Sequence, residues 1–213
     1  MAVFLADPEL TLKEARELYF QLNGFGDDGG YEGEWVDFKF GPIPFPFPNY
    51  AGHVRSVRLH DLHHALTGYG TDTLGELEMS AWEIGSGCAD HHVAWVYNVM
   101  GLAAGTLLIP RWTWRAFFHG RQCGNLYRER FDEKLLSRKV GEVRAALGID
   151  QVGHRGVRAS DVAMFTASAL AGLVTGTAGT ALVFVPLSLY AAVSKHILGK
   201  PLTKVARSTA ATP

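Results

Sequence analysis

The sequence has little cysteine, with only Cys88 and Cys123 among its 213 residues. Two cysteines cannot form a disulfide framework, which excludes the class of small secreted proteins that disulfides hold together. The first residues, MAVFLADPEL, have neither the basic stretch nor the long apolar run of a signal peptide. We therefore expect an intracellular, reducing compartment.

Charged residues are also scarce, at 19% of the chain, whereas hydrophobic residues make up 47%. Such a chain is too apolar to remain disordered and has no fibrous repeat, so both classes are excluded. The length is sufficient for one domain, or for one domain with an appendage.

The few charges are distributed unevenly along the chain. Residues 1–92 contain 15 acidic and 5 basic side chains, whereas residues 93–213 contain 6 acidic and 15 basic ones. The basic side chains alternate with long apolar runs and not with base-stacking aromatic residues, which favours anionic lipid head groups over nucleic acid. The alternative is a basic face that only water covers.

Helical periodicity dominates residues 1–150, for which we predict an all-α helical bundle. Thr11 is expected to cap a helix that runs to about Leu22. Two further helices, 54–66 and 73–85, are joined by a short Gly-containing turn, which predicts an antiparallel helical hairpin. Their apolar stripes are Leu59, Leu62 and Leu66 in the first helix, and Leu74, Leu77, Ala81 and Ile84 in the second.

Three further segments complete the predicted organisation of this domain. Gly41–Asn49 has proline at every second position and is expected to be an extended apolar loop, either a lid or a staple. Val93–Pro110 has no charge, and its Pro stop favours a buried core helix over a membrane span. Residues 111–148 are expected to form one amphipathic helix, broken only at Gly141, that closes the bundle.

Residues 151–213 differ in character and form a second expected unit. Val162–Ser194 contains 33 consecutive uncharged residues, too many for one membrane crossing and too few for two. Basic residues on both sides place both ends on the cytoplasmic side. We expect an apolar helical hairpin that attaches the protein to the cytoplasmic face as a peripheral or monotopic protein, with Gly172, Gly176 and Gly179 allowing close helix contact. Its small residues also favour self-association, so we expect a homo-oligomer. The alternative to membrane attachment is a hairpin buried in a soluble homo-oligomer.

The segment His60-Asp61-Leu62-His63-His64 contains the pattern H-D-x-x-H, and Glu76 follows after eleven intervening residues. Two histidines four residues apart on a helix point the same way and can share one cation. Glu76, on the neighbouring helix, can supply a third ligand. Two histidines and one carboxylate leave a coordination position open, which is typical of catalytic metal sites.

Simpler explanations of the same residues remain. The histidines can belong to a solvated face, and Thr73 with Glu76 fits a capping box. His63 lies off the ligand face and is expected to support the ligands or to face solvent. Glu83 shares a helix face with Glu76 and is either a second catalytic acid or a surface charge. Asp90-His91-His92 is expected to be a helix start, and the remaining histidines, His53, His119, His154 and His196, are isolated.

The sequence around these residues, HDLHHALTGYGTDTLGELE, resembles that of the family of ubiquinone (coenzyme Q) biosynthesis protein 4 homologues. The shared features are the H-D-x-x-H motif, the spacing to Glu76, the L-T-G-Y-G turn and the following G-E-L. The likeness continues more loosely through Trp82-Glu83 and into VGEVRAALGI, so that it covers about residues 50–150.

The resemblance implies a helical peripheral membrane protein of ubiquinone biosynthesis that binds zinc through His60, Asp61, His64 and Glu76. It also implies a role in oxidative decarboxylation, a lyase step on a prenylated aromatic ring in which a hydroxyl replaces the ring carboxylate. The implied partners are a prenylated quinone precursor and other quinone-biosynthesis enzymes. On this basis Asp61 is a ligand or a base, and Gly41–Asn49 and Val93–Pro110 would bind the prenyl tail.

Other functions compete with this one. A zinc hydrolase could use H-D-x-x-H in place of H-E-x-x-H, although Asp reaches a bound water less well than Glu does. A membrane di-iron hydroxylase would need several histidine boxes, and the sequence contains one. The closest competitor is a protein without catalytic activity, in which a structural metal supports a lipid-binding scaffold.

Overall fold

The computed structural model describes residues 5–40, 43–151, 153 and 156–179, together with seven positions between 181 and 193; side chains are not described for 37–40 and 43–47. The described chain is an all-α bundle with one β-hairpin. Its helices are α1 (Leu12–Asn23), α2 (Ala51–Thr67), α3 (Thr73–Ser86), α4 (His92–Leu108), α5 (Pro110–Gly120), α6 (Glu133–Leu136), α7 (Val140–Leu147) and α8 (Ala159–Gly179), and its strands are β1 (Trp35–Phe40) and β2 (Ile43–Pro48).

Helix α1 begins and ends as its sequence predicts. The Thr11 hydroxyl accepts a hydrogen bond from the Glu14 backbone N–H at 3.2 Å, and the Glu14 carboxylate accepts one from the Thr11 backbone N–H at 2.8 Å. This capping box satisfies two of the donors that a helix start leaves unpaired. Gly24 ends the helix with a φ of 67°, a left-handed conformation that glycine adopts without strain.

The expected loop at Gly41–Asn49 is mostly a strand. Residues Ile43–Pro48 pair antiparallel with Trp35–Phe40. The Asn49 N–H donates to the Glu34 carbonyl at 2.9 Å, so the three prolines at every second position before it fall where the backbone faces away from the partner strand. In a two-stranded sheet these positions need no N–H donor, and for that reason the ladder tolerates the prolines.

The predicted helical hairpin is present as α2 and α3. Gly68 ends α2 with a φ of 77°, and the Asp72 carboxylate caps α3 by accepting from the Gly75 N–H at 2.8 Å. Of the predicted apolar positions only Leu74 is wrong, because it is 40% exposed in the first turn of α3. The other six are buried, namely Leu59, Leu62, Leu66, Leu77, Ala81 and Ile84.

Helix α3 is the centre of the bundle, with α4 and α5 packed against it. The backbones of α3 and α5 approach closely where both carry glycine. A Cβ atom at Gly85 would lie 2.2 Å from the Phe117 carbonyl oxygen, and one at Gly120 would lie 2.1 Å from the Trp82 carbonyl oxygen. Larger side chains would therefore force these two helices apart.

The single amphipathic helix expected over 111–148 is instead three helices. Helix α5 ends at Gly120, and an irregular segment leads to the short helix α6, which Asp132 caps by accepting from the Leu135 N–H at 2.9 Å. In this irregular segment the Leu126 N–H donates to the His63 ring at 2.9 Å, so it does not need the hydrogen bond that a helix would provide. The apolar pattern was still informative, because Leu126, Leu135, Val140 and Val143 are buried.

Helix α8 packs along α4, with its Gly172 against the backbone of Val99. Near its start, Phe165 contacts the rings of Trp114 and Phe117 at centroid distances of 5.1 and 5.2 Å. By length and composition α8 is apolar enough to cross a membrane, and much of its surface is exposed. The return arm of the expected hairpin lies largely outside the described residues.

Candidate metal centre

The histidines of the H-D-x-x-H motif and Glu76 meet at one point between α2 and α3. The Nε2 atoms of His60 and His64 are 3.0 Å apart. The two carboxylate oxygens of Glu76 lie 3.3 Å from the His60 Nε2 and 3.4 Å from the His64 Nε2. Donor atoms of the three residues all lie within 4.8 Å of one another, so this cluster can hold a metal ion.

The other nitrogen of each ring is anchored. The His60 Nδ1 donates to the Glu83 Oε1 at 3.0 Å, and the His64 Nδ1 donates to the Tyr69 carbonyl at 2.9 Å. His64 is also stacked on the Tyr19 ring, with centroids 5.6 Å apart. Because a histidine that donates through Nδ1 presents a lone pair at Nε2, both rings are oriented as metal ligands are.

The electrostatics of the cluster favour a cation. Burial raises the pKa of Glu76, but the neighbouring His64 and His60 outweigh it and lower that pKa to about 2. Burial opposes a charge on His60, yet the carboxylates of Glu83 and Glu76 hold its pKa well above the ordinary value. Two carboxylates thus keep positive charge at this point, and a metal ion can supply that charge in place of a proton.

Glu83 is a buried hub and not a surface charge. Its side chain is fully buried, and its Oε1 accepts from the Nδ1 atoms of His60 at 3.0 Å and His63 at 2.6 Å. Its Oε2 accepts from the Tyr127 hydroxyl at 2.8 Å and from the Asn98 amide. Four donors hold this carboxylate ionised, with a pKa far below its usual value although burial alone would raise it.

His63 does not face solvent. It supports the ligands through Glu83, which was one of the two roles expected for it. Its Nε2 accepts from the Leu126 backbone N–H at 2.9 Å, which leaves the proton on Nδ1 for the bond to Glu83. Burial lowers the pKa of His63, which favours this neutral form. His63 therefore connects the hub to the irregular segment that follows α5.

The structure does not bring Asp61 into the cluster. The Asp61 Oδ2 accepts a hydrogen bond from the Tyr31 hydroxyl at 2.6 Å, and the described donor group consists of His60, His64 and Glu76 alone. The reason is helical geometry, because a residue next to His60 points about 100° away from it. Burial raises the pKa of Asp61 to about 6, against the lowering effect of His60 and Tyr31.

The capping-box explanation of Glu76 is wrong. Asp72, and not Thr73, caps α3, and the Glu76 carboxylate turns to the histidines. The side chains of Glu76 and His60 are 34% and 19% exposed, whereas His64 is buried, so the cluster opens to solvent on the Glu76 side. A ligand can therefore reach the three donor residues from that side.

The other histidines are mostly structural. Helix α4 begins at His92 with His91 as its N-cap, as the sequence predicts. His119 is not isolated, because its ring bridges the Tyr69 hydroxyl and the Ile149 carbonyl, each at 3.0 Å. It thereby fixes the turn whose carbonyl orients His64. His154 and His196 lie outside the described residues.

Sequence reasoning missed several residues that support the cluster. Tyr31 and Tyr127 come from irregular segments with no local signal. Tyr69 acts through a backbone carbonyl, which no side-chain pattern reveals. Asn98 had a weak signal, because an amide within the apolar run Val93–Pro110 needs a buried partner, and Glu83 is that partner.

Comparison of the chain with family models, curated proteins and solved structures finds no match.

Proposed function

We propose that this protein is a membrane-associated, metal-dependent component of prenylated quinone biosynthesis that acts on the aromatic ring of a precursor. The observation that carries the proposal is the cluster of His60, His64 and Glu76, whose two imidazoles are both held with Nε2 towards one point. The sequence of the surrounding segment, HDLHHALTGYGTDTLGELE, resembles the coenzyme Q family and supports quinone biosynthesis as the proposed pathway.

The donor set suits a reaction on an oxygen-rich ring. Two neutral imidazoles and one carboxylate leave a bound divalent ion with net positive charge and open positions. Such an ion stabilises the negative charge that develops when a ring carboxylate leaves. Zinc is our first candidate, and because zinc is redox-inactive, the oxidative part of the step would require dioxygen with a redox partner, or iron in the same donor set.

The chain's own residues would orient and protect this chemistry. Glu83 keeps the His60 ring in place, and the Tyr69 carbonyl does the same for His64. Asp61, with its pKa raised to about 6 by burial, is suited to exchange a proton near neutral pH. The Tyr31 hydroxyl donates to the Asp61 Oδ2 and holds the carboxylate in a defined orientation.

Membrane attachment would use α8. Apolar side chains that α4 does not cover project from this helix, and Val174 is 70% exposed. Contact with lipid would remove this apolar surface from water. The proposed location is therefore the cytoplasmic face of a membrane, where a prenylated precursor and the other pathway enzymes would be available.

A metal-stapled scaffold without catalytic activity is the second candidate, and one observation favours it. The cleft of about 1000 Å³ beside α2 contains none of the three donor residues. A structural metal would tie α2 to α3 without needing a substrate cavity. A zinc hydrolase has less support, because it would need Asp61 beside a metal-bound water, and Asp61 lies outside the group of three donor residues.

The first test is metal analysis of the purified protein, together with mass spectrometry of lipids that copurify with it. We expect one equivalent of a divalent metal, its loss in His64→Ala and in Glu76→Ala, and a bound prenylated aromatic compound. His92→Ala is the matched control, because His92 is exposed at the start of α4 and outside the cluster.

Three results separate the candidates. Metal without any prenylated ligand, together with loss of folding stability in the metal-free variants, would favour the scaffold. Absence of metal from the wild type would contradict both. A bound prenylated ring compound in the wild type that disappears with the metal in His64→Ala would support a role for the metal in substrate binding.

A further inference from the structure

The cleft beside α2 is lined by arginine side chains from two segments. It has a volume of about 1000 Å³ and lies between the first turns of α2, the start of α4 and the segment before α6. Its charged lining residues are four arginines and two carboxylates, an excess of two positive charges: Arg55, Arg58, Arg128 and Arg130, with Asp90 and Glu129.

The arginines of the cleft are not equivalent. Arg55 is neutralised by Asp90, with 2.6 Å between the guanidinium nitrogen and the carboxylate oxygen. Arg58, one helical turn further along α2, pairs with no carboxylate among the described residues. Its Nε is buried without a hydrogen-bond acceptor, and its guanidinium lies over the rings of Tyr31 and Phe131 at 5.2 and 5.5 Å.

Arg16, on α1, has the same kind of surroundings as Arg58. Its Nε is also buried without an acceptor, and its guanidinium lies 5.6 Å from the centre of the Phe20 ring and 5.5 Å from that of Phe131. Phe131 thus contacts two guanidinium groups that no described carboxylate neutralises. Phe131 and Arg58 line the cleft, whereas Arg16 does not, so Arg16 adds its positive charge next to the cleft through Phe131.

Two half-buried guanidinium groups that contact the same aromatic ring carry an electrostatic cost. Each has lost water from its Nε, and each repels the other. Contact with aromatic rings offsets only part of that cost. Such a pair is stabilised by an anion that accepts hydrogen bonds from the guanidinium groups and neutralises the excess charge.

We propose that this cleft binds the phosphate group of a ligand. The excess of two positive charges in the lining matches a phosphate monoester dianion better than a single carboxylate. The rings of Tyr31 and Phe131 hold the Arg58 guanidinium in place, so little side-chain freedom would be lost on binding. Arg128 and Arg130 are exposed on the opposite segment and can close over the anion.

This site is separate from the metal centre, since none of the three metal donors lines it. The proposal therefore does not depend on the quinone pathway. The phosphate can belong to a free small molecule or to a lipid head group, because both present the same chemistry to the arginines.

The test is calorimetric titration of the whole protein with inorganic phosphate, in a buffer without other polyanions. In parallel, cosedimentation is measured with phosphatidylcholine vesicles with and without phosphatidic acid. The variants are Arg58→Gln and Arg130→Gln, the latter in an exposed position whose change leaves the buried packing intact. Arg115→Gln is the matched control, an arginine of α5 that lies over Trp112 and outside the cleft.

We expect the wild type and Arg115→Gln to bind phosphate equally, and the two cleft variants to bind about tenfold more weakly or worse. Binding of phosphatidic acid vesicles alone, weakened in the same two variants, would also support the site and identify the source as a lipid head group. Absence of binding to both probes would overturn the proposal. So would binding that neither cleft variant weakens.

Discussion

The Nε2 atoms of His60 and His64 lie 3.0 Å apart, while the Nδ1 atom of each ring is held by another group. Two nitrogen lone pairs at this separation, facing the carboxylate of Glu76, need a positive charge between them. A proton or a metal ion can provide it. Glu83 and the Tyr69 carbonyl hold these two rings, and the first prediction concerns that support.

Replacing Glu83 with Gln should weaken metal binding about 10- to 100-fold, the usual effect of losing a group that orients a metal ligand. Gln has the same shape but no charge, and with its one oxygen towards His60 and His63 its amide nitrogen would face the Tyr127 hydroxyl and the Asn98 amide, which both donate. Metal affinity is measured by competition with a chelator, and folding by circular dichroism. Glu78→Gln, on the same helix but outside the hub, is the control. Unchanged affinity in a folded Glu83→Gln protein would show that the hub does not act on the metal.

Replacing Asp61 with Asn should leave the metal stoichiometry intact. The Asp61 carboxylate bonds to Tyr31, and an Asn oxygen can accept the same hydrogen bond. Metal content per protein is measured beside that of His64→Ala, which should lose the metal. If Asp61→Asn also loses it, Asp61 is a ligand in the metal-bound protein, as the family resemblance implies.

Replacing Gly172 with Ala should destabilise the protein by about 1–3 kcal/mol, the typical effect of overpacking. The new Cβ would lie 1.9 Å from the Val99 carbonyl oxygen, a backbone atom that cannot move aside alone. Gly176→Ala is the matched control, since the nearest atom to its Cβ is 3.8 Å away and Ala favours the helix. Urea denaturation measures both, and equal stabilities would contradict the packing of α8 on α4.

The stability of the protein should fall as the pH is lowered from about 6.5 towards 4, in part through His53. Burial, with the positive charge of His60 adding to it, lowers the pKa of His53 to about 4 from an ordinary 6.5. The unfolded chain therefore binds a proton in this pH range that the folded chain does not, so protons favour unfolding.

His53→Gln should make that pH dependence shallower. The free energy of unfolding is measured against pH for both proteins. At about pH 8 an ordinary histidine is uncharged, so the difference there reports only packing. If the two curves keep a constant separation down to pH 4, His53 does not titrate as its burial requires.

The sequence by itself determined the helices around the candidate site and the pairing of its two histidines. A spacing of four residues places His60 and His64 on one side of any helix, and a short turn to α3 brings Glu76 near them. Apolar periodicity likewise identified most of the buried positions, including Leu126, Leu135, Val140 and Val143, which do not belong to one helix. These features depend on local geometry, which the order of residues contains.

The tertiary structure alone decided which groups surround those ligands. The sequence pattern of Glu83 would be the same for a buried carboxylate and for an exposed one. Only the packing of Asn98 and Tyr127 against it shows that it is a buried acceptor. Asp61 was expected at the metal through the family resemblance, and its contact with Tyr31, thirty residues earlier, leaves no trace in the local pattern. Contacts between distant segments depend on how the helices pack. The chemistry of a side chain limits what the residue can bind, but it does not determine which neighbour the fold places beside it.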